Sequence, residues 1–214
     1  IPDEIWQACP SKQDEDELLN RPCYGGLDFA SVSDFTAVCL LFPPDEYTTE
    51  YRLKWFFWLP EDVMKVKSRD FPDIKRWVDA GWITVTPGNV TDYDYLIEEM
   101  HKIRASYTLL SAGYDPHNAW QTVAKLEEDG FPMDKFSQGI TSMSAPAKEF
   151  ERLVKKGEIN HGGNPVMRWM MSNVLPKIEL NDNLRIKKMS KNQKIDGVTA
   201  AVIALGVYLS SPQV

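Results

Sequence analysis

Before Pro60, apolar residues come in short dense runs; after it they fall into wider, helical spacings. Gly26-Leu27-Asp28-Phe29-Ala30, Thr36-Ala37-Val38-Cys39-Leu40-Leu41-Phe42 and Tyr51 to Leu59 have strand length and strand composition. They predict strands over about 24–31, 36–42 and 51–59, with Pro43-Pro44-Asp45-Glu46 as the turn between the second and third. Connections this short predict an antiparallel meander. Helices are expected over 61–68 and 73–80, where Ile74, Trp77 and Val78 share a face. A short strand follows at 82–86, and a helix at 92–107 carries Leu96, Met100 and Ile103 on one stripe.

Leu109 to Tyr114 reads as a buried strand, and Asp115-Pro116 opens a helix over 116–129 that Gly130 ends. One more strand is expected at 132–137, then helices at 144–157 and 165–174. A basic hairpin over 175–189 would turn at Asn181-Asp182-Asn183. The last helix, 196–210, is apolar on all sides, so it should be covered on both faces. A meander followed by alternating strands and helices predicts an α/β fold, with a mixed sheet flanked by helices on both faces.

The 214 residues suit one substantial domain, preceded over 1–23 by an acidic, loosely structured lead-in with Trp6 as an anchor; the domain itself spans 24–214. A chain that opens at Ile1 rather than Met is expected to be a piece of something longer. No run has the roughly 20 apolar residues of a membrane span, no signal peptide is visible, and no membrane partner is expected. Cys9, Cys23 and Cys39 form no CxxC pair and are odd in number. That argues against a disulfide framework or zinc site and for a reducing cytoplasm. Neither GxxxxGK[ST] nor a GxGxxG after a strand is present, which excludes the usual nucleotide motor and dinucleotide enzyme patterns.

Three acids stand out. Asp28 interrupts an apolar strand, and alternation sends its carboxylate to the face opposite Leu27 and Phe29. Burying an unpaired carboxylate costs several kcal/mol, and Gly25, Gly26 and Ala30 leave room for a close approach. Asp115 ends a strand, where open α/β sheets place ligands, yet Asp before Pro is also an ordinary helix cap. Asp196 opens the apolar helix, where the helix dipole alone would favour an acid. Both readings stay open for the latter two, but three converging carboxylates would call for a cation.

Net charge is −7, unevenly spread. Arg185, Lys187, Lys188, Lys191 and Lys194 form a run without acids, either a solvated face or, beside Asp196, a phosphate-contacting patch. Asp34 has turn chemistry and His161 lies in a turn-rich loop, so both are candidate accessory residues. His101 falls on a charged helical face, and His117 sits in the turn after Asp115.

Tyr24-Gly25-Gly26-Leu27-Asp28-Phe29-Ala30-Ser31, continuing through Asp34-Phe35-Thr36-Ala37, resembles the opening of the nuclease domain in large terminase subunits of tailed bacteriophages. Ala112-Gly113-Tyr114-Asp115-Pro116 resembles its second acidic motif. His161-Gly162-Gly163-Asn164-Pro165-Val166-Met167-Arg168-Trp169 and Lys194-Ile195-Asp196-Gly197 resemble its later ones, in the right order. The resemblance implies a ribonuclease H-like fold and metal-dependent cleavage of concatemeric viral DNA during packaging, in the host cytoplasm. It also implies that Asp28, Asp115 and Asp196 are the metal-binding catalytic acids. The implied partners are double-stranded DNA, the terminase ATPase domain, the small terminase subunit and the portal protein. Such proteins carry an N-terminal packaging ATPase, whereas this chain has the look of the C-terminal nuclease portion alone.

Phosphodiester hydrolysis needs an in-line water and relief of charge on the leaving oxygen, which two divalent ions roughly 3.5–4 Å apart can supply. An all-carboxylate ligand set selects Mg²⁺ or Mn²⁺. Rival expectations are another ribonuclease H-like nuclease, such as a junction resolvase or RNA–DNA hybrid nuclease, and a non-catalytic docking module for the portal or small terminase subunit.

Overall fold

The computed structural model describes residues 1–29 and 34–212, apart from the side chains of residues 118, 119, 121 and 180. Ala30, Ser31 and Ser33 therefore lie outside the described residues. The meander is β1 (Pro22–Asp28), β2 (Thr36–Phe42) and β3 (Tyr51–Pro60), each antiparallel to the next. β4 (Thr84–Thr86) runs parallel to β3 on its outer side. On the other side of β1 come β5 (Thr108–Tyr114) and β6 (Met133–Lys135), both parallel. The sheet order is thus β4-β3-β2-β1-β5-β6, with β1 central. A two-residue strand, β7 (Ile159–Asn160), pairs with the start of β3; it is too short to leave a periodic signal in the sequence.

Helices cover both faces. They are α1 (Asp3–Ala8), α2 (Glu61–Asp70), α3 (Asp73–Asp79), α4 (Tyr93–Ser106), α5 (Pro116–Glu128), α6 (Ile140–Lys156), α7 (Pro165–Ser172) and α8 (Asp196–Ser210). On one face α8 lies across β1, β2 and β5, with α6 and α7 packed on its outer side. Its residues Gly197 to Val207 are all buried, which is why this helix has no polar stripe. On the other face, Leu96, Met100 and Ile103 of α4 pack with Val123 and Leu126 of α5 against Leu27, Val38 and Leu40. β2 is buried along its whole length because both its faces are covered, hence its unbroken apolar run. This is a ribonuclease H-like mixed sheet, as expected.

Two segments differ from expectation. Residues 1–23 are not loose: α1 is a helix, and Trp6 and Cys9 enter the core beneath α6 and α7 while Leu18 and Cys23 enter the other. The six acids of this stretch mask four buried anchors. α6 begins at Ile140 rather than near 144 and carries Pro146 within its second turn. Proline there forgoes one helical hydrogen bond, but the residue is buried and its ring lies against Gly206 of α8. The basic hairpin forms as β8 (Val174–Glu179) and β9 (Asn183–Lys188), and Asn181 and Asp182 adopt positive φ in its turn.

Candidate metal centre

The geometry of two of the three acids, Asp28 and Asp115, follows from two glycines. Gly26 and Gly113 sit on the neighbouring parallel strands β1 and β5 in register with each other. A Cβ built on Gly26 would strike the backbone of Ala200 and Ala204 in α8. One on Gly113 would stand 2.6 Å from Val207 and 2.7 Å from Ile203 of the same helix. Both glycines therefore face α8, and strand alternation turns the residues two positions on, Asp28 and Asp115, toward that side as well. Both lie at the carboxyl ends of parallel strands, the edge where such sheets bind ligands. The repeated Gly-x-Asp is the sequence signal for this pairing, one that the separate weighing of each acid passes over.

The N-terminus of α8 is drawn to the same edge. The Trp55 indole N–H donates to the Gly197 carbonyl at 3.0 Å, and Gly197 is wedged against Phe57 and Met167. Phe57 pairs with Ala37, which pairs with Asp28, so Asp196 stands at the level of Asp28. The charges act on one another. Burial, then the Asp196 carboxylate, and more weakly Asp115 and Asp34, push Asp28 up to about 7, against a hydrogen bond from Gln138. Burial and then Asp34 push Asp196 up to about 6, against Lys194 and Lys188. Asp196 Oδ2 is buried without a hydrogen-bond partner in the described structure.

Asp115 does cap α5: its Oδ1 accepts from the His117 amide at 3.0 Å and lies 3.1 Å from His117 Nδ1. Its Oδ2 accepts from the Gln138 backbone N–H at 3.2 Å, and the Gln138 side-chain amide donates to Asp28 Oδ1 at 2.9 Å. Sequence reasoning misses Gln138; only its position just beyond β6 could have marked it. It misses Lys67 of α2 too. Lys67 lies 3.5 Å from Asp34, whose other oxygen accepts from Lys194. Burial raises the Asp34 carboxyl, but the two lysines outweigh it and hold the group below its ordinary range. Asp34 thus sits beside the centre, though tied to cations of the protein itself.

Two assignments need correction. Lys194 is 6% exposed and engaged with Asp34, so it is not part of the accessible basic surface. Arg185, Lys187, Lys188 and Lys191 are exposed, and Arg185 pairs with Glu179 at 3.3 Å. His161 is buried, stacked on Trp6 with ring centroids 4.4 Å apart, and its Nε2 lies 3.1 Å from the Trp6 carbonyl. It follows β7, which pairs with Tyr51 and Arg52 at the end of β3 away from Phe57. It pins α1 at the opposite end of the sheet and has no reach to phosphate at the acids. His101 pairs with Asp129 at 2.9 Å, in keeping with its place on a charged helical face.

The donor set fits a hard divalent ion: carboxylates only, mutual repulsion that a cation would relieve, and one orphaned buried oxygen. It is not a closed cage, since among the described residues no three Asp, Glu, His or Cys stand close enough to hold one ion together. The repulsion has a measurable consequence. A carboxyl raised in the folded state stabilises it while protonated, fully below the ordinary range near 4, and this is lost as pH rises through the folded values of about 6 and about 7. Without divalent ions the melting temperature should therefore fall between about pH 5 and 8 by more in the wild type than in an Asp28→Asn variant. Equal slopes in thermal melts would contradict this.

Comparison with known proteins agrees with the geometry. The model of the terminase large subunit, endonuclease domain, matches residues 2–211. Protein YmfN of Escherichia coli K12 is 31% identical over 212 residues, covering 94% of this chain and 46% of that protein. The large terminase subunit of Enterobacteria phage HK97 is 25% identical, covering 94% and 40%. This chain thus spans less than half the length of the curated relatives it matches. Among solved structures, the HK97 large terminase superposes with a TM-score of 0.86 at 24% identity, over 97% of this chain and 43% of that one. The large terminase nuclease of thermophilic phage G20c, solved with bound magnesium, superposes at 0.58 and 11% identity over 94% of each. No helix among the described residues is long and apolar enough to cross a membrane. With an endonuclease-domain match over nearly its whole length and that domain's fold beneath its acids, the chain belongs to the terminase large subunit endonuclease-domain family.

Proposed function

We propose that this domain is a divalent-metal-dependent endonuclease that cuts concatemeric double-stranded viral DNA during genome packaging, in the host cytoplasm. The observation that supports the reading is Asp28 and Asp115 at the carboxyl ends of neighbouring parallel strands, with the Asp196 and Asp115 charges both acting on the buried Asp28 carboxyl. Asp28, on the central strand, would be the main ligand, with Asp115 and Asp196 as the remaining residues that would hold the metal. Mg²⁺ or Mn²⁺, as two ions, would orient the attacking water and relieve charge on the leaving oxygen. The protein's own part is to hold three acids on rigid elements and to keep Lys67 and Lys194 paired with Asp34 beside them.

Lys187, Lys188 and Lys191 contact the DNA backbone without reading sequence, and Lys188 lies close enough to Asp196 to act on its charge. With a net charge of −7 the isolated domain binds weakly, so the ATPase domain delivers the DNA, with the small terminase subunit and portal protein as further partners. A triple Ala variant of these lysines should lower the slope of log affinity against log salt by about 0.9 for each phosphate that is no longer neutralised. An unchanged slope would remove the patch from the DNA-binding surface. The function itself is tested by nicking of supercoiled plasmid. The domain should nick in Mn²⁺ and not in EDTA; metal-independent nicking, or none in either Mn²⁺ or Mg²⁺, would overturn the reading.

A further inference from the structure

Gln138 touches two of the three acids at once, through different atoms. Its side-chain amide donates to Asp28 Oδ1 at 2.9 Å, while its backbone N–H donates to Asp115 Oδ2 at 3.2 Å. The residue is exposed, so nothing in the core requires an amide there. Its backbone is nevertheless held at both ends. Upstream, the Phe136 N–H donates to the Tyr114 carbonyl at 2.8 Å, and the Phe136 ring fills the space above Gly206 of α8. Downstream, Gly139 caps α6, its N–H donating to Ser137 Oγ at 3.1 Å and its carbonyl accepting from Met143 at 3.0 Å. A short loop clamped to β5, α8 and α6 thus presents two donors at a fixed separation.

We propose that Gln138 is a positioning residue that sets the distance and orientation of Asp28 relative to Asp115 for cation binding. This rests on the metal-centre reading above. Asp115 is held by its cap on α5, whereas Asp28 is repelled by it and has no cap of its own. A donor on one oxygen of each ties the two together: Asp28 keeps Oδ2 for an ion, and Asp115, whose Oδ1 also accepts from the His117 amide, keeps the second lone pair of Oδ2. Partners of this kind around metal ligands typically change affinity by about 10–100-fold when removed. Among the described residues, Gln138 is the side chain whose hydrogen bond fixes Asp28.

The test is Mn²⁺ titration by calorimetry, with nicking kinetics alongside, for the wild type, Gln138→Ala and Gln138→Asn. Gln138→Ala keeps the backbone donor to Asp115 but frees Asp28, and should weaken Mn²⁺ binding by about 10-fold or more. Its nicking should recover toward wild-type rates as Mn²⁺ is raised, and its metal-free melting temperature should stay close to wild type because the side chain is exposed. Gln138→Asn, one methylene short of Asp28, should behave like the Ala variant. Unchanged or tighter Mn²⁺ binding in Gln138→Ala, with the wild type binding normally, would overturn the proposal, the tighter result marking Gln138 as a competitor of the ion. Failure of the wild type to bind Mn²⁺ would instead remove the metal-centre reading, and this inference with it.

Discussion

Asp28→Asn should lose metal-dependent nicking by about a thousandfold or more while becoming more stable than the wild type in the absence of metal. The loss follows from the role proposed for Asp28. An ion placed at the reacting phosphate supplies several kcal/mol of charge stabilisation, and each 1.36 kcal/mol is about a factor of ten in rate. The gain follows from the observed electrostatics. Above the folded value of about 7 the Asp28 carboxylate is charged, desolvated and opposed by Asp196 and Asp115. Asn keeps the shape and an oxygen that can accept from Gln138, and removes the charge. At about pH 8 a gain of about 1 kcal/mol would appear as about 2–4 °C in melting temperature for a domain of this size. Thermal melts with and without Mn²⁺, beside plasmid nicking, read both halves. An active variant would remove Asp28 from the centre, and a less stable one would show that its charge is not opposed in the fold.

Gly26→Ala should be among the most damaging single methyl additions in the chain. The new Cβ would meet the Ala200 carbonyl and the Ala204 amide of α8. These are backbone atoms of a buried helix and have no rotamer to move to. Overpacking usually costs about 1–3 kcal/mol, and a backbone collision belongs at or above the top of that range. The corresponding fall in melting temperature is roughly 6–12 °C. Gly25→Ala is the internal comparison, because its methyl would meet side chains, Ala112 at 2.9 Å and Leu109 at 3.3 Å. It should cost less. Equal melting temperatures for the two variants would contradict the close approach of α8 to β1. The site should suffer too, since a helix lifted from Gly26 carries Asp196 away from Asp28.

Much of this arrangement is legible in the pattern of apolar residues. The unbroken run of β2 and the stripeless helix α8 both announce burial on two sides, and both are covered on two sides. Asp28 is conspicuous because a charge inside an apolar strand is costly. Asp115 is ambiguous for a reason that persists in the structure: one oxygen caps α5 and the other is held by Gln138. What stays hidden depends on contacts between distant segments. Nothing local marks Gln138 as a neighbour of Asp28, or Lys67 as a neighbour of Asp34. His161 and Lys194 mislead because both have the look of surface residues in polar loops. One is instead stacked on Trp6 and the other is buried against Asp34. Sequence reports residue type and period well, but burial of a polar group is decided by what packs over it.

If Asp28, Asp115 and Asp196 together bind divalent metal, crystals grown with Mn²⁺ and measured at the manganese absorption edge show it most directly. Anomalous peaks are predicted within coordinating distance of Asp28, with Asp115 or Asp196 completing each ion's contacts. Peaks located only elsewhere on the molecule, or none at Mn²⁺ concentrations that support nicking, would contradict a metal centre built on these acids.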